Sequence, residues 1–129
     1  MCSSDLTSNI CTNQGLMALR ATVYLSLLGP NGLREVAQLC ADKAQYACEQ
    51  LTSLPGVSLA YQRPFFKEFT LSCAHGADAL IDKARRAGFD LGPSLQRVHS
   101  NHDASKLLVA VTECRRRTEI DALVSALRG

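Results

Sequence analysis

The side chains able to do chemistry are three histidines (His75, His99, His102), six cysteines (2, 11, 40, 48, 73, 114), four lysines (43, 67, 83, 106) and the run Arg115-Arg116-Arg117. Metal binding would require ligand spacing. His99-x-x-His102 lies in a polar stretch with only Asp103 beside it, so a solvated loop is the stronger reading, and no two cysteines form the Cys-x-x-Cys of a zinc site. Neither Gly-x-Ser-x-Gly, a P-loop nor Gly-x-Gly-x-x-Gly occurs, which removes the common acyl-transfer and nucleotide-binding signatures. No lysine has the Gly- and Ser-rich surroundings of a Schiff-base lysine. The arginine run leads into an acidic helix start, where basic charge opposes the helix dipole, so a solvated hinge outweighs an anion contact. One segment stands apart, Ser8-Asn9-Ile10-Cys11-Thr12-Asn13-Gln14. Its polar and thiol side chains lead into what reads as the N-terminus of an apolar helix, where unpaired amides and the dipole favour phosphate or carboxylate. Ordinary helix capping explains it equally well.

Periodicity and turn chemistry give the elements that must position these residues. Thr12–Leu28 reads as a helix capped by Thr12 or Asn13 and ended by Gly29-Pro30-Asn31-Gly32. Its apolar residues, Leu16, Met17, Leu19, Val23, Leu25, Leu27 and Leu28, occupy most of the circumference, which predicts an exposed apolar patch that other protein covers. Leu33–Leu51 is a regular amphipathic helix, with Val36, Cys40, Ala44, Ala47, Cys48 and Leu51 on its stripe. Strands are expected at Val57–Tyr61, at Phe65–Cys73 and at Leu107–Val111, the last an unbroken apolar run that predicts a central position buried on both faces. A helix over Ala77–Ala84 ends at Gly88 as its C′ residue, and the last helix starts from a Thr118 cap with Asp121 in a weak capping-box position. Asp90–Ser105 reads as an irregular loop. This order predicts an α+β fold, a short, mostly antiparallel sheet with helices packed on one face.

Composition narrows the class. A chain of 129 residues is one domain or less, and 47% hydrophobic content argues against disorder. A net charge of +2, 5% aromatics and no Trp give no nucleic-acid-binding surface. Leu16–Leu28, interrupted by Arg20, Thr22 and Ser26, is too short for a membrane span, and Met1-Cys2-Ser3-Ser4-Asp5-Leu6 does not read as a signal peptide. Cysteines at apolar helix and strand positions read as reduced, core-filling thiols of a cytoplasmic protein.

Thr7-Ser8-Asn9-Ile10-Cys11-Thr12-Asn13-Gln14 resembles a motif of the glycine cleavage P-protein family, the glycine decarboxylases that use pyridoxal phosphate. The resemblance continues through Leu28-Gly29-Pro30-Asn31-Gly32-Leu33-Arg34-Glu35-Val36-Ala37, Leu54-Pro55-Gly56-Val57 and Pro64-Phe65-Phe66-Lys67-Glu68-Phe69. It closes with Leu107-Leu108-Val109-Ala110-Val111-Thr112-Glu113 and Glu119-Ile120-Asp121-Ala122-Leu123-Val124, and is strongest to the C-terminal part of subunit 1 of the two-subunit form. The resemblance implies the small C-terminal domain of a fold-type I enzyme of pyridoxal phosphate. Residues 1–6 would be foreign to the family, 7–31 the end of the large domain with an interface helix, and 32–129 the small α+β domain. It further implies an oxidoreductase that decarboxylates glycine and passes the aminomethyl group to the lipoylated H-protein, the cofactor serving as electron sink. The Schiff-base lysine would belong to subunit 2, so this chain would hold no catalytic residue and no metal. Ser8, Asn9 and Thr12 would lie near the cofactor or the subunit interface. The competing readings are another fold-type I enzyme, an aminotransferase or a cysteine-desulfurase-like protein, and a non-catalytic α+β interaction module.

Overall fold

The computed structural model describes residues 3–98 and 103–129, with side chains from Gln14 onward. In chain order the elements are α1 (Ser3–Thr52), β1 (Val57–Leu59), β2 (Glu68–Cys73), α2 (Ala77–Arg86), α3 (Leu95–Val98), β3 (Lys106–Ala110) and α4 (Arg117–Arg128). They fall into two compact units, one ending at Val36 and the other Ala37–Gly129.

In the first unit the helix starts at Ser3, ahead of the expected cap at Thr12 or Asn13. Residues 8–14 therefore lie inside a helix and not in front of one. The expected break at Gly29-Pro30-Asn31-Gly32 shrinks to one residue: Gly29 leaves helical geometry at φ 60 and ψ -175, and helix resumes at Pro30. The sequence explains both halves. Proline disfavours helical geometry in the residue before it yet fits the first turn of a new helix, and only glycine adopts such φ/ψ at little cost. The side chains of this helix meet solvent, Leu16 and Leu19 at 60% and Leu27 at 82% exposure, as its all-round apolar pattern predicts.

In the second unit, Cys40, Ala44, Ala47, Cys48 and Leu51 of α1 are buried at the 3–4 spacing read from the sequence. The sheet is three-stranded, in the order β1-β2-β3, with both pairs antiparallel. Phe69 pairs with Val109 and Leu71 with Leu107, so one face carries large buried side chains while Thr70 and Leu108 turn to the other. That face joins Ala44 and Leu51 of α1, Ile81 of α2, and Ile120, Val124 and Leu127 of α4 in one core. Burying each large side chain contributes about 1.5–3 kcal/mol before entropy is subtracted.

The α+β expectation holds; four details change. The central strand is β2, not the Leu107–Val111 segment. β3 is buried on one face and, among the described residues, is met along its outer side by a bridge to Ser94 and by Pro93, whose O accepts the Leu108 N–H at 3.1 Å. β1 and β2 are shorter than read, and Phe66 lies outside the strand. The 90–105 stretch contains the short helix α3. Finally, α4 is capped at Arg116 instead of Thr118: the Glu119 carboxylate accepts the Arg116 N–H at 2.6 Å, the reach-back half of a capping box, two positions earlier than expected. Gly88 takes the predicted C′ place, at φ 85, with its N–H donating to Arg85 O at 3.0 Å.

Candidate functional site

Polar side chains of the second unit converge where α1 meets the turn between β3 and α4. Cys40, on the buried stripe of α1, donates its Sγ–H to Glu113 Oε2 at 3.2 Å. Cys114, exposed on the turn, donates to the other carboxylate oxygen, Oε1, at 3.3 Å. Lys43, one helical turn after Cys40, hydrogen-bonds the carbonyl of Glu113. The Cys40 thiol is held above the usual range by burial first and by the neighbouring carboxylate second. Glu113 is held below the ordinary glutamate range, chiefly by the hydrogen bond it accepts from Cys40. Burial likewise raises Cys48 and Cys73, the inert core thiols.

One turn further along α1, the Tyr46 hydroxyl donates to Asp121 Oδ1 at 2.5 Å, and the Arg117 guanidinium lies 4.1 Å from the Tyr46 ring centroid. The expected solvated hinge of arginines is thus anchored at one position by a cation–π contact. Beside this cluster is a cleft of about 280 Å³, floored by Leu51, Val109 and Ile120 and rimmed by Asp90, Arg115 and Glu119. An apolar floor with one guanidinium at the rim suits holding a small group, and the Glu119 carboxylate is already engaged by the Arg116 amide. The sequence offered no signal for this convergence beyond Cys40 on a buried stripe, because Tyr46 and Asp121 are 75 positions apart.

Ser8, Asn9 and Thr12 lie within α1, and their side chains, with that of Cys11, are outside the described residues. The helix-start geometry that singled them out does not hold, because amides inside a helix bond to carbonyls one turn back. His99 and His102 also fall outside the described residues; His75 is exposed beside Gly56. Among the described residues no cluster of three or more metal-ligating side chains occurs, and no helix is long and apolar enough to cross a membrane. Of the four lysines, Lys67 is exposed and the other three have hydrogen-bond partners. Lys43 is tied to Glu113, Lys83 Nζ donates to Leu127 O at 2.8 Å, and Lys106 Nζ contacts Tyr61 Oη at 3.2 Å.

Comparison with known proteins bears on the whole chain. The family model described as glycine cleavage system P-protein matches residues 4–127. A relative named probable glycine dehydrogenase (decarboxylating) subunit 1, from Chlorobium limicola (strain DSM 245 / NBRC 103803 / 6330), is 50% identical over 125 residues, covering 94% of this chain and 26% of the relative. The protein of the same name from Moorella thermoacetica (strain ATCC 39073 / JCM 9320) is 48% identical over 130 residues, covering 95% of this chain and 28% of its own length. The chain therefore spans about a quarter of the curated relatives it matches. A crystal structure of glycine decarboxylase (P-protein) of the glycine cleavage system, in inhibitor-bound form, superposes with a TM-score of 0.77 at 33% identity, over 88% of this chain and 25% of that one.

Proposed function

Because the chain belongs to the glycine cleavage system P-protein family, we propose that it serves as the C-terminal part of subunit 1 of a two-subunit glycine decarboxylase. In this reading residues 7–31 are the end of the large domain with its interface helix, and 32–129 are the small α+β domain. The assembled enzyme decarboxylates glycine and passes the aminomethyl group to the lipoylated H-protein, with pyridoxal phosphate as its cofactor and subunit 2 as its partner. Family membership favours this over an aminotransferase or cysteine-desulfurase-like assignment.

One observation carries the proposal: a chain matched along 94% of its length by only 26% of a relative also bears an apolar helix whose Leu16, Leu19, Val23 and Leu27 side chains are more than half exposed. Leu16, Leu19, Val23, Tyr24 and Leu27 line an open groove on that helix. Contiguous apolar surface of this kind marks an interface. Its occupant in this proposal is the large domain of the same subunit, the bulk of the three quarters of the relatives that this chain does not span. In this reading the covalent anchor for the cofactor belongs to subunit 2, in keeping with the engagement of Lys43, Lys83 and Lys106 by Glu113, Leu127 and Tyr61, and no step through the cofactor is assigned to this chain. Ser8, Asn9 and Thr12 are proposed as polar contacts to the cofactor or the neighbouring subunit, supported by the motif they share with the family.

The test is a chimera in which this chain replaces the matching quarter of the Chlorobium limicola subunit 1, co-expressed with that organism's subunit 2. Exchange of glycine carboxyl carbon with bicarbonate in the presence of lipoylated H-protein is the expected result. The chain alone, mixed with pyridoxal phosphate, should develop no aldimine absorbance. A chimera that assembles with subunit 2 and lacks exchange would refute the assignment, as would covalent capture of the cofactor by the isolated chain. Replacing Ser8, Asn9 and Thr12 by Ala in the active chimera should weaken cofactor affinity; unchanged affinity and turnover would remove them from the site.

A further inference from the structure

We propose that Cys40 and Cys114 form an oxidisable dithiol across Glu113, a modification site that takes up the oxidising equivalents of a hydroperoxide and closes as a Cys40–Cys114 crosslink. This inference does not rest on the proposed function. Both thiols are free, and they donate to opposite oxygens of one carboxylate at 3.2 and 3.3 Å. Two sulfurs far apart in sequence are thereby gathered around one side chain. Their surroundings divide the work. Cys114 is exposed and meets the oxidant, whereas Cys40 is buried and meets only what the turn brings to it. Cys48 and Cys73, also buried, have no such shared acceptor among the described hydrogen bonds.

The turn that carries Cys114 is tied to α1 through Glu113, by Cys40 and Lys43, and is otherwise held locally. The Cys114 N–H donates to Thr112 Oγ1 at 3.4 Å and the Arg115 N–H to Thr112 O at 3.2 Å. It lies beyond the last strand pairing, so it can shift without opening the sheet. Closure exchanges the shared carboxylate acceptor for a sulfur–sulfur bond, which requires the two β-carbons to approach to about 3.5–4.5 Å.

The chemistry balances with the hydroperoxide as sole co-reactant. The Cys114 sulfur attacks the terminal oxygen, the O–O bond breaks, and the alcohol (water, for hydrogen peroxide) leaves with the thiol proton; Cys114 becomes a sulfenic acid. The Cys40 sulfur then attacks the Cys114 sulfur, the S–O bond breaks, and water leaves. The Cys40 proton passes along its existing hydrogen bond to Glu113 and on to the departing hydroxide. The two thiols lose one electron each, and the peroxide bond gains two.

The experiment treats the reduced full chain with one equivalent of hydrogen peroxide, followed by trypsin and mass spectrometry. The expected product joins the peptides Glu35–Lys43 and Leu107–Arg115 with the loss of two hydrogens. Cys114→Ser should leave Glu35–Lys43 reduced, Cys40→Ser should stop Cys114 at a sulfenic acid trapped by dimedone, and Glu113→Gln should slow crosslinking about tenfold or more. Wild-type Cys114 oxidised while Cys40 stays reduced would overturn the pairing, as would a crosslink from Cys114 to any other cysteine. Crosslinking of Glu113→Gln at the wild-type rate would remove the carboxylate from the step.

Discussion

Arg117 opens α4, the end at which a helix repels cations, and yet it is fixed there. Its guanidinium lies over Tyr46, whose hydroxyl is in turn bound by Asp121 one helical turn into α4. Tyr46 therefore does two separable things, offering a π-face to a cation and a proton to a carboxylate. Tyr46→Phe keeps the first and loses the second, and should cost about 1 kcal/mol in urea unfolding. Tyr46→Leu loses both and should cost about twice as much. Equal effects would show that the hydroxyl contributes nothing. Glu113 supplies a pH signature at the same scale. Its folded value lies below its unfolded one, so the folded state binds fewer protons. The stability it contributes is complete above the unfolded value, about pH 4.3, and is lost as pH falls through the folded value. Glu113→Gln should flatten the loss of urea stability below about pH 4.3 relative to wild type. Asp103, held low by hydrogen bonds from Ser105, keeps its own share of that acid limb in both proteins. Parallel curves would mean that the thiol contacts do not favour the ionised carboxylate.

Between elements, Gly92 is the tightest constraint in the second unit. At φ 119, an added β-carbon would lie 2.2 Å from the carbonyl oxygen of Leu108, backbone that cannot yield as a side chain would. This close approach lets Pro93 and Ser94 cover the outer side of β3. Gly92→Ala combines a backbone conformation that L residues avoid with overpacking, and should destabilise the protein by about 3 kcal/mol or more. It should also raise hydrogen exchange at the Leu108 amide before that at Val109, which is bound within the sheet. Gly88→Ala, whose β-carbon would meet nothing, should cost about 1–2 kcal/mol, the torsional penalty alone. The contrast shows what sequence makes legible. Gly88 follows an amphipathic helix, and its capping role is read from local pattern. Gly92 precedes a proline in an apparent loop, and its role depends on a strand sixteen positions later. The same limit misplaced β3: five consecutive apolar residues fit either a two-face or a one-face strand, and the deciding partners, β2 and the Pro93–Ser94 segment, come from elsewhere in the chain. The α4 cap was missed because Thr118 is a stronger side-chain cap than Arg116, while the observed start uses the Arg116 backbone and the Glu119 carboxylate. The proposed contacts Ser8, Asn9 and Thr12 rest on family likeness alone, since the helix start that also singled them out lies earlier, at Ser3.

At the scale of the molecule, the two units differ in what holds them. Residues 37–129 have a shared core in which Leu51, Leu71 and Leu107 are essentially sealed from water. The helix before Gly29 has most of its large apolar side chains half or more exposed, and an isolated helix of its length draws little stability from propensity alone. Most helical stability in proteins comes from packing an apolar face, so this segment should be the least protected part of the isolated chain. Hydrogen exchange should show amides 14–28 exchanging by local opening, orders of magnitude faster than Leu71 and Leu107, which exchange only with global unfolding. Assembly into the chimera with the rest of subunit 1 should then slow amides 14–28 strongly and leave Leu71 and Leu107 at their already slow rates. Replacing Leu16, Leu19 and Val23 by Gln separates docking from folding: the unfolding midpoint of the isolated chain should stay within about 0.5 kcal/mol of wild type, as for surface changes, while protection of 14–28 in the assembly is lost. Strong protection of 14–28 in the isolated chain would show that its own residues already cover the helix, and the assignment of that face to the large domain would fail.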